Sequence, residues 1–462
     1  MIGYIYYFFF ILLTFSPLLL LKYKKSGLLI LYPLLFTAHF NATVFLKAGI
    51  TISFFELTLM ISVCVILSNA KKNKTLKGLL NAMCFYNQDK IWLNFLGFSF
   101  LSILISIYRV YLFRDIVPDP AFSPPFFIRG IMSLNKFFFY FPLFFVIRGY
   151  FKQHYDAVIT HKTFIKALAF SGILPAVAIF VQFLGIGFSM IHNNPSFAET
   201  FRVETYQGAR PAGLTNEASF FVYQLFFSTL GLYYAKLHGF IQLKKYYSIL
   251  LLYILAVILS LSRTGLLIYG IFFLLVWFRK NSIFSLKGLK NITIAIPIIG
   301  LVLFALSRIS IANFNLGSRF LSTFDQGADA STLERYGSAD ALYHLLIDKT
   351  IFLGVGIYNY QYYIKSYLPS YMSGFYYAPG IAPASFNFIF QIFVEFGLVL
   401  ALIFFIKCYI NLKAKSVDAF VRDWFLFILI FSFSFQTLNF TIPFIVFFYS
   451  TYKLNEDNFY SR

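Results

Sequence analysis

Lys244-Lys-Tyr-Tyr-Ser-Ile-Leu-Leu-Leu-Tyr-Ile-Leu-Ala-Val-Ile-Leu-Ser-Leu261 runs through Ser262-Arg263 into Thr264-Gly-Leu-Leu-Ile-Tyr-Gly-Ile-Phe-Phe-Leu-Leu-Val-Trp-Phe278-Arg-Lys280. Two apolar blocks are joined by a corner of almost no length, and both outer ends are basic. No side of either block is polar, so neither can coat a water-soluble globule. A hairpin that crosses a bilayer twice satisfies the pattern. Its lysine and arginine ends lie on the cytoplasmic side and its corner on the other.

The rest of the chain agrees. Of its 462 residues 59% are hydrophobic and only 12% charged, about half the roughly 25% charge of a soluble domain. Mean hydropathy is +0.74. Apolar runs suited to spanning helices fall at 3–21, 27–46, 51–68, 91–113, 130–147, 164–188 and 218–234. Further runs fall at 246–261, 264–278, 292–306, 386–406, 424–435 and 437–451. The sequence therefore predicts an all-α polytopic membrane protein of about 12–13 spanning helices. The lower count applies if the first hairpin is re-entrant. The expected organisation is a bundle over 1–306, a long loop over 307–385, and C-terminal helices over 386–462. No cleavable signal peptide is expected, because lysines follow the first apolar run.

The formal charge of +20 would suggest nucleic acid on a soluble protein. Here most of it is the basic edge of cytoplasmic loops, in clusters around Lys71, Lys152, Lys244, Arg279 and Lys413. Cys64, Cys84 and Cys408 are too scattered for a metal site or a disulfide framework. No metal or other cofactor is expected.

Basic residues on the opposite side are the informative ones. Residues 189–216 form a loop that passes Arg210-Pro-Ala-Gly213 and enters a helix near Asn216-Glu217. Helix starts favour anions, so a phosphate and Arg210 suit that place. Glu217 reads equally as a helix-dipole carboxylate and as a catalytic group. Arg263, at the hairpin corner, reads as a snorkelling residue or as a group facing a polar cavity. The loop over 307–385 is long enough to be functional, and its Ser331–Leu346 stretch looks helical. It adds Arg308, which reads as solvated, with Arg319, Arg335 and His344. Several arginines on one wet face make an anion site, since guanidinium groups grip phosphate oxygens bidentately. His344 is open between a structural and a catalytic role. Glu56 and Lys136 are charges inside apolar runs that either pair or mark a polar pathway.

Four motifs occur in order. Arg210-Pro-Ala-Gly213 leads into Glu217-Ala-Ser219, and Ser262-Arg263-Thr-Gly265 forms the corner. Arg335 precedes Leu353-Gly354-Val-Gly356, and Asn387-Phe-Ile-Phe-Gln391 precedes Glu395-Phe-Gly397. Together they resemble bacterial O-antigen polymerases, over about residues 199–400. Ala218 stands where the family often has proline. Phe386 stands where the related ligases carry histidine before asparagine, which favours polymerase over ligase.

The resemblance implies a GT-C-like fold whose 307–385 loop is periplasmic, in the bacterial inner membrane. It implies a metal-independent glycosyltransferase that joins undecaprenyl-pyrophosphate-linked oligosaccharides. Arg210, Arg263, Arg335, Arg319 and Asn387 would bind substrate, and Glu217 or His344 would serve catalysis. Membrane lipids and a chain-length regulator protein are the implied partners, with no nucleic acid. The rival readings are an O-antigen ligase and a lipid-linked oligosaccharide transporter.

Overall fold

A computed structural model describes residues 2–22, 24–39, 43–45, 52–83, 89–118, 126–184, 218–260, 262–280, 310–311, 314–315, 330–372, 387–413 and 419–432. The helices in the first half are α1 (Ile2–Phe15), α2 (Pro17–Leu20), α3 (Leu31–Ala38), α4 (Phe54–Lys72), α5 (Leu76–Ala82), α6 (Asp89–Tyr108), α7 (Phe126–His154), α8 (Ala157–Ser171) and α9 (Ile173–Phe183). They continue as α10 (Ala218–Leu237), α11 (Leu243–Leu259), α12 (Arg263–Lys280), α13 (Ala330–Leu345), α14 (Phe388–Phe396), α15 (Leu398–Lys413) and α16 (Ala419–Ser432). Extended structure among the described residues is limited to two short antiparallel pairs, Thr43–Phe45 with Ile52–Ser53 and Ser310–Ile311 with Phe314–Asn315. The protein is an all-α polytopic membrane protein. Phe54–Lys72, Leu93–Phe113 and Ala157–Phe183 are each long and apolar enough to cross a bilayer alone. Shorter apolar helices, among them Thr264–Val276 and Leu398–Asn411, add to these.

The chain divides into two units, one of residues 1–15, 32–57 and 165–329, the other of residues 16–31, 58–164 and 330–462. In the first, α10 is the central element. It is buried from Ala218 to Ala235 on nearly every side, as a helix apolar all round must be. Two of its polar side chains, Ser228 and Thr229, meet polar partners within the unit. The His39 imidazole Nε2 lies 3.0 Å from Ser171 Oγ and 3.1 Å from Ser228 Oγ. Thr229 Oγ1 meets the Tyr269 hydroxyl at 2.7 Å, and the Tyr253 hydroxyl donates to the Ala169 carbonyl at 2.5 Å. Such bonds hold helices together where lipid leaves the hydrophobic effect little to do.

The second unit combines a membrane part with a folded lobe. Phe95 and Phe98 of α6 pack their rings on Phe396 and Phe404 at centroid distances of 5.9–6.4 Å. Leu104 on α6 and Leu402, Ile406 and Ile410 on α15 stay exposed, as lipid-facing positions should. The lobe, residues 330–372, has its own core of Ala341, Leu342, Leu345, Val355, Tyr360 and Ile364 with Ile116 and Val394. The expectation that this part of the long loop folds is met.

Two details depart from the sequence reading. The run expected at 164–188 starts earlier, as α8 and α9 over Ala157–Phe183. Glu56 is a capping residue: its carboxylate accepts from the Ser53 N–H at 2.7 Å while Ser53 Oγ accepts from the Glu56 N–H at 3.2 Å. This Ser-x-x-Glu box satisfies two free donors at the start of α4. Lys136 falls within α7.

Candidate functional site

The corner Ser262-Arg263-Thr-Gly265 builds itself from local rules. Ser262 is buried, and its Oγ accepts from the Gly265 N–H at 3.3 Å, capping α12. A Cβ on Gly265 would lie 2.6 Å from Cγ1 of Val222. Only glycine lets α12 approach α10 so closely. Serine and glycine thus have structural tasks, and Arg263 becomes the first residue of the helix. That is the end where the helix dipole is positive and the backbone N–H groups are free.

In the second unit two of the motifs prove to be a single structure. The Val355 N–H donates to the Val394 carbonyl at 3.1 Å, and the Gly356 N–H donates to the Glu395 carbonyl at 2.9 Å. The Leu398 N–H donates to the Ile351 carbonyl at 3.0 Å. A Cβ on Gly354 would collide with the Glu395 backbone. Gly356 and Gly397 adopt φ of +89° and +79°, where a side chain would strain the backbone. Gly-x-Gly and Glu-x-Gly therefore lock the end of the lobe onto the end of α14. Glu395 is fully buried and accepts from Gln391 Nε2 at 3.1 Å. Asn387 caps α14, its Oδ1 accepting from the Phe390 N–H at 3.0 Å.

The sequence reading missed Arg109. It follows α6 directly, opens the π-helical turn Arg109–Phe113 and is 3% exposed. Its Nε and Nη2 donate to the Asp115 carboxylate at 2.9 and 2.5 Å. Nη2 also donates to the Lys349 carbonyl at 2.7 Å, and Nη1 to the carbonyls of Leu353 and Gly354. All five guanidinium donors are engaged. Lys349 lies in the π turn Leu346–Thr350 that extends α13, so Arg109 neutralises carbonyls at that helix end.

The expected site residues fall as follows. Arg335 lies half-buried on α13 and His344 is exposed on the same helix, with Nε2 3.6 Å from the Asp340 carboxylate. Arg263 opens α12. Arg210, Glu217 and Arg319 lie outside the described residues. Elsewhere in the lobe, the Tyr367 hydroxyl donates to Asp348. Burial and that carboxylate push its pKa up to about 12.

Residues 248–405 match the family described as O-antigen ligase, a segment running from α11 into α15 that includes the corner, Arg335 and the interlocked glycine motifs. No curated protein and no solved structure matches the chain.

Proposed function

We propose, from the match of residues 248–405 to the O-antigen ligase family, that this chain belongs to the O-antigen polymerase/ligase superfamily and is the polymerase of a surface polysaccharide. Membership makes it a membrane enzyme of the glycosyl-transfer type, acting on lipid-linked polysaccharide substrates in surface polysaccharide biosynthesis. The finer reading is as follows. The enzyme works on the periplasmic face of the bacterial inner membrane, where the 307–385 loop lies. It joins undecaprenyl-pyrophosphate-linked repeat units, moving the growing chain onto the next unit. Arg210, Arg263, Arg335 and Arg319 hold the donor pyrophosphate and stabilise the charge it develops on leaving. Glu217 or His344 takes the proton from the acceptor hydroxyl. A chain-length regulator protein is the expected partner.

One observation carries polymerase over ligase: the sequence reads Phe386-Asn387 where the ligases have a His-Asn pair. The reading is tested by expressing the chain in a strain that lacks its polymerase and running its lipopolysaccharide on a gel. A ladder of polymer lengths is expected. Capping with a single repeat unit, and no ladder, overturns it.

A further inference from the structure

Helix α13 has two unlike faces. Gly337, Ser338, Ala341, Leu342 and Leu345 are buried inward. Outward stand Tyr336 at 60% exposure and Tyr343 at 46%, with Asp340 and His344 between and beside them at 51% and 60% side-chain exposure. At about 100° and 1.5 Å per residue, the two tyrosines lie within about 20° of each other around the axis and about 10 Å apart along it. The His344 imidazole meets Tyr343 edge-on at a centroid distance of 5.6 Å and stands 3.6 Å from Asp340. A third ring comes from another element, Tyr371 in the turn Ser370–Met372. That turn is seated by Met372, which is buried so close to Gly337 that a Cβ there would lie 2.6 Å from its Cγ. Burial and then the Asp340 charge raise the Tyr371 pKa.

This is not how a folding helix disposes of tyrosines, whose rings bring most stability when buried. Nor does the stripe fit pyrophosphate. Its charged members are one carboxylate and one imidazole. The chemistry fits a neutral polyol. The negative face of a tyrosine ring attracts the C–H edge of a sugar ring. Asp340 accepts from hydroxyls, and His344 either donates or accepts. The stripe also begins one residue after Arg335, so a sugar chain leading away from a pyrophosphate there would run along it.

We propose that the face formed by Tyr336, Asp340, Tyr343, His344 and Tyr371 is a docking platform for the oligosaccharide part of the substrate. The inference rests on the lipid-linked glycan reading and adds where the sugars lie.

The test uses the full chain in nanodiscs. The probe is the free repeat-unit oligosaccharide from the producing strain's polysaccharide, carrying neither lipid nor pyrophosphate, and binding is read by saturation-transfer NMR. The wild type should bind it. Tyr336→Ala with Tyr343→Ala should weaken binding by about tenfold or more, the size of a lost aromatic stack, whereas the Tyr→Phe pair should retain it. Asp340→Asn, an exposed and fold-neutral change, should also weaken it. Binding to the Ala pair as tight as to the wild type would overturn the platform. So would a spin label at Tyr343→Cys that reports immersion in lipid, which would make the face a membrane contact. If the Arg210→Ala, Arg263→Ala and Arg335→Ala proteins still polymerise, the pyrophosphate clamp falls while the sugar-binding result stands. Failure of the platform leaves the clamp untouched in the same way.

Discussion

Arg109 and Arg263 both stand at the end of a spanning helix, but the two ends have opposite sense. Arg109 follows the C-terminal end of α6, and its donors are taken up by Asp115 and by the carbonyls of Lys349, Leu353 and Gly354. Cations are favoured at such places, where carbonyls lack partners. Arg263 is the first residue of α12, where the dipole works against a cation. Capping there is done by Ser262 and close packing by Gly265. The first arginine is explained by the fold it holds. The second stands where the helix dipole gives a cation no support, which is the reason to test it as a ligand for an anion. Burial and saturation mark Arg109 as structural, and the position of Arg263 at a helix start makes it the one to test as a ligand.

The largest effects test this contrast directly. Arg263→Ala should cut polymer formation by about 10²-fold or more, the scale of removing one stabiliser of developing charge. The protein should accumulate normally in the membrane. Arg210→Ala and Arg335→Ala should behave alike, and Arg→Lys should rescue poorly because lysine lacks the bidentate fork. Full-length ladders from all three alanine variants would remove the clamp.

Arg109→Ala should act the other way, through stability. It leaves the exposed Asp115 carboxylate and the carbonyls of Lys349, Leu353 and Gly354 without their donor, and losing hydrogen bonds to a charged group costs about 1.5–3 kcal/mol. Thermal melting in detergent should fall and membrane accumulation should drop. Arg109→Lys should recover only part, since three donors replace five. An Arg109→Ala protein that melts like the wild type yet makes no polymer would move Arg109 into the substrate site and dissolve the comparison.

Much of the fold was legible because hydrophobic runs report spanning helices with little ambiguity, and the Ser262-Arg263 corner reads directly as a helical hairpin. The lobe helix was legible too, expected at Ser331–Leu346 and found as Ala330–Leu345. The pairing of Gly354 with Glu395 was not, because it joins distant segments through backbone atoms that carry no side-chain signature. Arg109 was lost inside the apolar average of 91–113, although an arginine within a span with an aspartate six residues on is itself a signal. Glu56 was read as an intramembrane charge when Ser53, three residues earlier, already spelled a capping box. At the site, Asn387 was legible as a position and its capping role was not. His344 sits on the exposed face of α13 beside Asp340.

The capping residues at the two motifs sharpen the comparison at a smaller scale. Ser262→Ala removes the acceptor for the Gly265 N–H, and Asn387→Ala removes that for the Phe390 N–H. Each should lower stability by about 1 kcal/mol. Ser262→Ala should also depress polymer length, because fraying the first turn of α12 displaces Arg263. An Asn387→Ala protein that melts unchanged but loses activity would show that Asn387 binds substrate and does more than cap.

The smallest expected effect is none at all, and it bears on why the arginines are there. A leaving pyrophosphate develops negative charge that must be met either by a bound divalent ion or by fixed cations. Arg210, Arg263, Arg319 and Arg335 supply fixed cations whose charge does not titrate near neutral pH. The acidic residues grouped between Arg319 and Arg335, Asp325, Asp329 and Glu334, read as solvated loop charge or as partners of those arginines. A metal held by these three would need further groups to orient them. Purified protein given a lipid-linked repeat unit should therefore polymerise at an unchanged rate in excess chelator. Activity that disappears under chelation and returns with magnesium or manganese, substrate solubility being equal, would reassign Asp325, Asp329 and Glu334 as metal ligands. Arg263 would then assist a metal and would no longer stand in for one.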